Sequence, residues 1–377
     1  MDTIEFNLKN MLTMLEELVN TDSGSYDKNG VDKVGTFLKR KYEKLNFNVM
    51  EKENHELGNH LLISHKQAID PKILILAHMD TVFPEGTATE RPFTIKDGRA
   101  YGPGVIDMKA SHVMLYFAIK HLAETKSSII KNVEIILNSD EEIGTISSRA
   151  LIEERARDKR CVFVLEPARE DGSIVSSRRG VGEYKLQVTG KAAHSGIEPE
   201  KGRSAIEELA HKILELQNLS DPDENLNVNV GLIEGGTSVN TVAPVAEASI
   251  DVRISTSKQG EWIHNKIQDV CSEEEVRGTE LKLTGGINRP PMVFTDEIEK
   301  LVNIVQKEAE KLGIHVEHTA TGGGSDASFT ANMGIPTLDG LGPVGGKQHS
   351  QEEYLEIDSL LERTHLFINV LKRFSLD

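Results

Sequence analysis

Apolar residues at Leu8, Met11, Leu12, Leu15, Leu18 and Val19, with Ile4 one turn earlier, fall at helical spacing and predict an amphipathic helix over residues 4–19. Val31, Val34, Phe37, Leu38 and Leu45 predict a second helix over 30–45. Short apolar runs follow. Ile73-Leu74-Ile75-Leu76-Ala77, Val133-Glu134-Ile135-Ile136-Leu137 and Cys161-Val162-Phe163-Val164-Leu165 each read as a buried strand. A helical stretch over 108–123 separates the first two. Strand–helix alternation predicts an α/β sheet, parallel at its centre. Each strand runs straight into a candidate functional residue: His78, then Glu141 and Glu142, then Glu166. In open α/β sheets the functional crevice lies at the carboxyl ends of the strands.

The pattern changes near Arg178-Arg179-Gly180. Residues 183–191 alternate like a strand with one exposed face, 203–217 read as a helix, 228–233 and 247–254 as strands, and 258–273 as a helix. These elements predict a compact α+β insert. Pro290-Pro291 closes it, and a helix over 296–312 and the Gly-rich stretch Thr321–Asp326 follow. The expected organisation is a first domain made of residues 1–178 and 291–377, interrupted by a second at 179–290. Segments near 178–180 and 288–292 are the expected hinges.

Composition narrows the class. The chain has 377 residues, 38% hydrophobic and 27% charged, as expected of a soluble globular protein. Its net charge of -17 argues against nucleic acid or an anionic membrane as partner. No apolar run approaches the length of a membrane span, and the amino terminus carries no signal-peptide pattern. Cys161 and Cys271 are far apart and are expected to be buried core thiols, which suits a reducing cytoplasm.

Five segments carry the candidate chemistry. His78 and Asp80 are two apart, so one can bind a metal while the other fixes the imidazole tautomer. Asp107 follows Gly102-Pro103-Gly104, where the backbone can approach a crowded ion pair; a helix N-cap is the plainer alternative. Asp140-Glu141-Glu142 sets three carboxylates at a strand end, costly unless cations sit there. Glu166 follows an apolar strand and needs a partner, whether a cation or a salt bridge. His349 sits in the flexible segment Gly345-Gly346-Lys347-Gln348-His349. Together these are the hard and borderline ligands that two Zn²⁺ ions take, with one acidic residue left over as a base. His112 and His121 are expected in core or surface roles.

In combination, Ala77-His78-Met79-Asp80-Thr81-Val82, Tyr101–Lys109 and Asp140-Glu141-Glu142-Ile143-Gly144 resemble the ordered motifs of the co-catalytic di-zinc peptidases and amidohydrolases. That family includes glutamate carboxypeptidase, aminoacylase, acetylornithine deacetylase and succinyl-diaminopimelate desuccinylase. The resemblance covers nearly the whole chain. It implies a zinc-exopeptidase-like sandwich with a mixed, centrally parallel sheet, plus an inserted ferredoxin-like lid and dimerisation domain. It implies that Asp107 bridges two zinc ions, with His78 and Glu166 completing one site and Glu142 and His349 the other. Co²⁺ or Mn²⁺ are possible substitutes. It implies Glu141 as general base, Asp80 orienting His78, and a cis peptide after Asp107. Gly190-Lys191-Ala192-Ala193-His194-Ser195-Gly196 resembles the segment whose histidine enters a partner subunit's active site, which implies a homodimer. Thr237-Ser238-Val239-Asn240 and Asp251-Val252-Arg253 resemble the segments whose Asn and Arg hold a substrate carboxylate. One departure is visible: the family's Gly-Gly after Met108-Lys109 is Ala110-Ser111 here, and altered helix packing is expected. The expected substrate is a peptide or N-acyl amino acid with a free α-carboxylate, most simply one releasing glutamate. An N-acyl amino acid deacylase is the alternative. A metal-free binding or assembly protein on the same fold is the rival from another class.

Overall fold

The computed structural model describes residues 7–375; positions 4–6 of the first expected helix lie outside them. The chain opens with α1 (Leu8–Val19) and α2 (Lys28–Glu43), then β1 (Phe47–Lys52), β2 (His60–His65) and β3 (Ile73–His78). It continues with α3 (Ala110–Glu124), β4 (Val133–Asn138) and β5 (Cys161–Val164). Next come β6 (Gly180–Thr189), α4 (Ala205–Gln217), β7 (Asn227–Gly235), β8 (Val245–Ile254), α5 (Ser257–Val270) and β9 (Glu280–Arg289). α6 (Asp296–Lys311), β10 (Thr337–Leu338) and α7 (Ile357–Lys372) complete the set used below. Contacts divide the chain into two units. One takes the chain through Ser177, then Phe294–Ala320 and Ser325 onward; the other takes Arg178–Val293 with Thr321–Gly324.

The first unit is built on a six-stranded sheet of order β1-β2-β4-β3-β5-β10. β3 lies parallel to β4 and β5, and β5 parallel to β10, whereas β1 and β2 run antiparallel at one edge. Every residue of β3, β4 and β5 is buried, which accounts for their apolar character; Glu134 in β4, the charged exception, pairs with Arg155 and Lys159. The register sets His78 opposite Asn138 and Leu76 opposite Val164, so the three strands end side by side. That common edge delivers the next residues of each strand to one place. α2 packs on β1 and β2, and α3 packs on α1 and α7. α2 begins earlier than its apolar spacing suggests because the Asp27 side chain caps it, accepting from Gly30 N at 3.0 Å.

The second unit follows the order β-α-β-β-α-β, with sheet order β7-β8-β6-β9 and every pairing antiparallel. This is the ferredoxin-like arrangement. Alternate residues of β6 and β8 point into a core formed with α4 and α5, which includes Leu186, Val188, Ile250, Val252, Leu209, Leu216, Ile263 and Ile267. Cys271 joins that core and Cys161 lies in β5; both are free and buried, as expected. Among the described residues no helix is long and apolar enough to cross a membrane.

Candidate active site

The expected helix over 108–123 starts later than its apolar pattern. Val105–Lys109 forms a wide turn in which Asp107 and Met108 leave helical backbone angles, and α3 begins at Ala110. Asp107 is therefore not the helix N-cap, and its peptide bond to Met108 is cis. Its carboxylate sits between two histidines. Oδ1 lies 3.1 Å from His78 Nε2, and Oδ2 lies 3.3 Å from His349 Nε2. His78 Nε2 is 3.7 Å from Glu166, and His349 Nε2 is 3.1 Å from Glu142. The ligand atoms of His78, Asp107 and Glu166 all lie within 4.8 Å of one another, and so do those of Asp107, Glu142 and His349. Two clusters thus share one carboxylate.

Asp80 is fully buried. Its backbone oxygen accepts from His78 Nδ1 at 2.9 Å, while its carboxylate stands 3.5 Å from the same nitrogen. The carbonyl therefore fixes the tautomer that turns Nε2 toward Asp107 and Glu166. The Asp80 carboxylate instead holds the turn after β4: Oδ1 accepts from Glu141 N and Oδ2 from Glu142 N, each at 3.2 Å. Ser25 Oγ adds a third bond at 2.7 Å. The three consecutive acids part company here. Asp140 faces back into the fold, accepting from Ser147 N at 2.6 Å and Ser148 N at 3.1 Å. Glu141 is 8% exposed, and its charge bears on both Glu142 and Glu166.

The site crowds buried carboxylates against two imidazoles. Burial lifts the Glu166 carboxyl well above its usual range, and the Asp107 charge lifts it further. Burial also pushes Glu142 up to about 7, against its hydrogen bond with His349. Burial opposes charge on His78, but the carboxylates of Asp107 and Asp80 hold its pKa well above the ordinary value. Hydrogen bonds to Asp107 and Glu142 take His349 up to about 11. Burial would raise Asp107, yet His349 and His78 keep it well below the usual range. Divalent cations held by these residues would relieve the burial and mutual repulsion of the carboxylates. Glu142 Oε1 is moreover buried without a hydrogen-bond partner, as suits an oxygen meant for an ion. The donor set, one imidazole and two carboxylates in each cluster, fits zinc.

Several supporting residues escaped the sequence. His112, neutral because burial drives its pKa down to about 4, donates from Nε2 to the His78 carbonyl at 2.6 Å. Ser111, at the Gly-Gly departure, donates to the Leu165 carbonyl at 2.6 Å, one residue before Glu166. Glu353 accepts backbone N–H groups around Asp107. These residues carry no local signal, because their partners are distant in sequence. His194, Asn240 and Arg253 fall in the second unit. Ser195 N donates to the Asn240 carbonyl at 3.0 Å, so the His194 and Asn240 segments run side by side, and both side chains are exposed. Arg253 on β8 grips the Asp251 carboxylate at 3.0 and 2.9 Å and reaches the Gly322 carbonyl at 3.2 Å.

A family model described as peptidase family M20/M25/M40 matches residues 74–373. The chain belongs to this family. Membership makes it a metal-dependent peptidase or amidohydrolase. It is 28% identical to carboxypeptidase G2 of Pseudomonas sp. (strain RS-16) over 94% of this chain and 87% of that protein. It is 28% identical to the succinyl-diaminopimelate desuccinylase of Dechloromonas aromatica (strain RCB), covering 80% and 83%. Among solved structures it resembles aminopeptidase PepT from Bacillus cereus, with a TM-score of 0.79, 26% identity, and 97% and 98% of the two chains covered. The relatives thus include a carboxypeptidase, a desuccinylase and an aminopeptidase.

Proposed function

We propose that this protein is a di-zinc hydrolase that cleaves the amide bond of small peptides or N-acyl amino acids bearing a free α-carboxylate, with release of a C-terminal glutamate as the leading activity. The observation that carries the proposal is the pair of ligand clusters joined at Asp107, with Glu141 beside both. His78, Asp107 and Glu166 would hold one ion, and Asp107, Glu142 and His349 the other. Such a pair supplies Lewis acidity to the substrate carbonyl and lowers the pKa of the attacking water. Glu141 takes the proton from that water and passes it to the leaving nitrogen. Asp80 keeps Glu141 and Glu142 in place through their backbone N–H groups. Arg253 and Asn240 are the proposed anchors of the free carboxylate, and His194 the proposed donor to the developing oxyanion, acting across a homodimer. The carboxypeptidase relative favours the exopeptidase reading, and the desuccinylase relatives keep N-acyl amino acids as the second substrate class; Glu166, rather than Asp, suits both better than an aminotripeptidase. Two separate buried thiols suit a cytoplasmic enzyme.

The test begins with metal per chain, then turnover of glutamyl dipeptides, N-acylglutamates and N-acetyl amino acids before and after chelation. We expect two zinc ions and chelator-sensitive release of glutamate. Glu141→Gln should keep the metal and lose about 10²- to 10⁴-fold in kcat. A folded, metal-loaded Glu141→Gln protein working at the unmodified rate refutes the assignment of the base. A protein that takes up no zinc yet binds amino acids tightly supports the binding-protein alternative.

A further inference from the structure

Asp107 does not sit on a strand end. It belongs to an irregular loop whose backbone N–H groups need acceptors. Glu353, 1% exposed, supplies them. Its Oε1 accepts from Ile106 N at 2.9 Å and Asp107 N at 3.0 Å, and its Oε2 accepts from Gly104 N at 3.1 Å. Gly104 has φ +68°, and this left-handed turn brings the amides together into an anion-binding concavity. A carboxylate from the same chain fills it.

The other end of Glu353 is equally informative. It directly precedes the strand Tyr354–Glu356, which pairs with Gly345–Gly346 on one side and with Arg99–Tyr101 on the other. Arg99–Tyr101 leads into the Asp107 loop, and His349 rides on the turn between the two hairpin strands. That turn is conformationally demanding: Lys347 has φ +57° and His349 has φ +62°, and the His349 side chain is 51% exposed. Asp107 and His349 therefore both come from irregular segments, unlike His78, whose strand register fixes it.

We propose that Glu353 is a positioning residue that locks the Asp107 loop to the His349 hairpin and so sets the separation of two ligands of the Asp107–Glu142–His349 ion. The proposal rests on the metal-site reading above. Glu353→Gln keeps one oxygen, enough for Ile106 and Asp107, but turns an NH₂ group toward Gly104 N–H. Glu353→Ala removes both acceptor oxygens and with them all three hydrogen bonds. We expect one of the two ions to bind about tenfold more weakly in Glu353→Gln and more weakly still in Glu353→Ala, the range that outer-shell partners command.

The experiment loads wild type and both variants with Zn²⁺ and with Co²⁺, measuring metal per chain against a graded chelator, the visible Co²⁺ absorption, and Tm with and without metal. The expected result is selective loss of one ion, an altered Co²⁺ band and a smaller metal-induced gain in Tm. If Glu353→Ala does not fold, Glu353→Gln carries the test alone. Two ions held at wild-type affinity with an unchanged Co²⁺ spectrum in Glu353→Gln overturn the proposal. So does an equal fall in Tm with and without metal, the mark of a purely structural role. A wild-type protein that binds no metal overturns the hydrolase reading first and this proposal with it.

Discussion

Replacing Asp80 with Asn tests how the site is held, because it removes charge without changing shape. The imidazole tautomer should survive, since His78 Nδ1 already donates to the Asp80 backbone oxygen at 2.9 Å. What changes is the turn that carries Glu141 and Glu142. The carboxylate takes three donors: Ser25 Oγ and Glu142 N on Oδ2, and Glu141 N on Oδ1. An amide has one acceptor oxygen. If its NH₂ takes the Oδ2 place, Ser25 can reverse its hydroxyl and accept, but Glu142 N–H faces a donor. If the NH₂ takes the Oδ1 place, Glu141 N–H does. Either way one buried N–H is left unsatisfied, at a cost of about 1–3 kcal/mol. Fully expressed in the transition state, that is about 5- to 150-fold in kcat/KM. The assay is kcat/KM on whichever substrate of the amide panel is turned over, with metal content and Tm on the same preparation. We expect a fall in that range with both ions retained. Wild-type activity would refute the reasoning. So would loss of the ion at His78, which would make the carboxylate rather than the carbonyl the imidazole's main support.

Glu208 in α4 is fully buried and its Oε2 accepts from Glu275 N at 2.8 Å and Thr279 Oγ1 at 3.2 Å, with Lys212 at 3.8 Å from its other oxygen. Glu208→Ala should destabilise the protein by about 3–5 kcal/mol in urea unfolding while leaving metal content intact; a change below about 1 kcal/mol on the same scale would contradict this. His60 is buried between Ser139 Oγ and Ser147 Oγ, each 3.0 Å from a ring nitrogen, and burial lowers its pKa from 6.5 against the pull of Asp140 and Asp80. Above pH 6.5 both folded and unfolded imidazoles are largely neutral; below it the unfolded state takes the proton first, so stability is lost as the pH falls. His60→Gln should lose that part of the slope, and parallel stability-versus-pH curves for the two proteins would count against it. A Cβ on Gly342 would press on Ser111 Oγ and lie 2.8 Å from the Leu165 and Glu166 carbonyl oxygens. Gly342→Ala should therefore cost about 1–3 kcal/mol and weaken the ion at Glu166; unchanged metal affinity would show that the strand end yields freely.

The sequence carried the sheet's centre because physics leaves little choice there. β3, β4 and β5 are buried on both faces, and only a run such as Ile73-Leu74-Ile75-Leu76-Ala77 tolerates that. β1 and β2 left a weaker trace. β1 is mostly exposed and β2 only partly buried, so neither needs an unbroken apolar stretch. The Asp140-Glu141-Glu142 run announced a site but not its division of labour. Ser147 and Ser148 claim Asp140, and that follows only from a chain reversal that composition does not encode.

The site itself divides along the same line. His78 and Glu166 follow buried strands, so register places them, and register is what apolar patterning specifies. Asp107 and His349 come from irregular backbone, where nothing in the local sequence sets a distance. Such ligands need a tether to hold the geometry an ion pair demands. Glu353 can tether Asp107 because the hairpin that presents His349 also pairs with Arg99–Tyr101, just ahead of the Asp107 loop. Its partners lie 246 to 249 positions away in sequence, so no spacing rule could have found it. A ligand set is thus readable where secondary structure positions it, and the residues that complete it become visible only where the fold brings two irregular segments together.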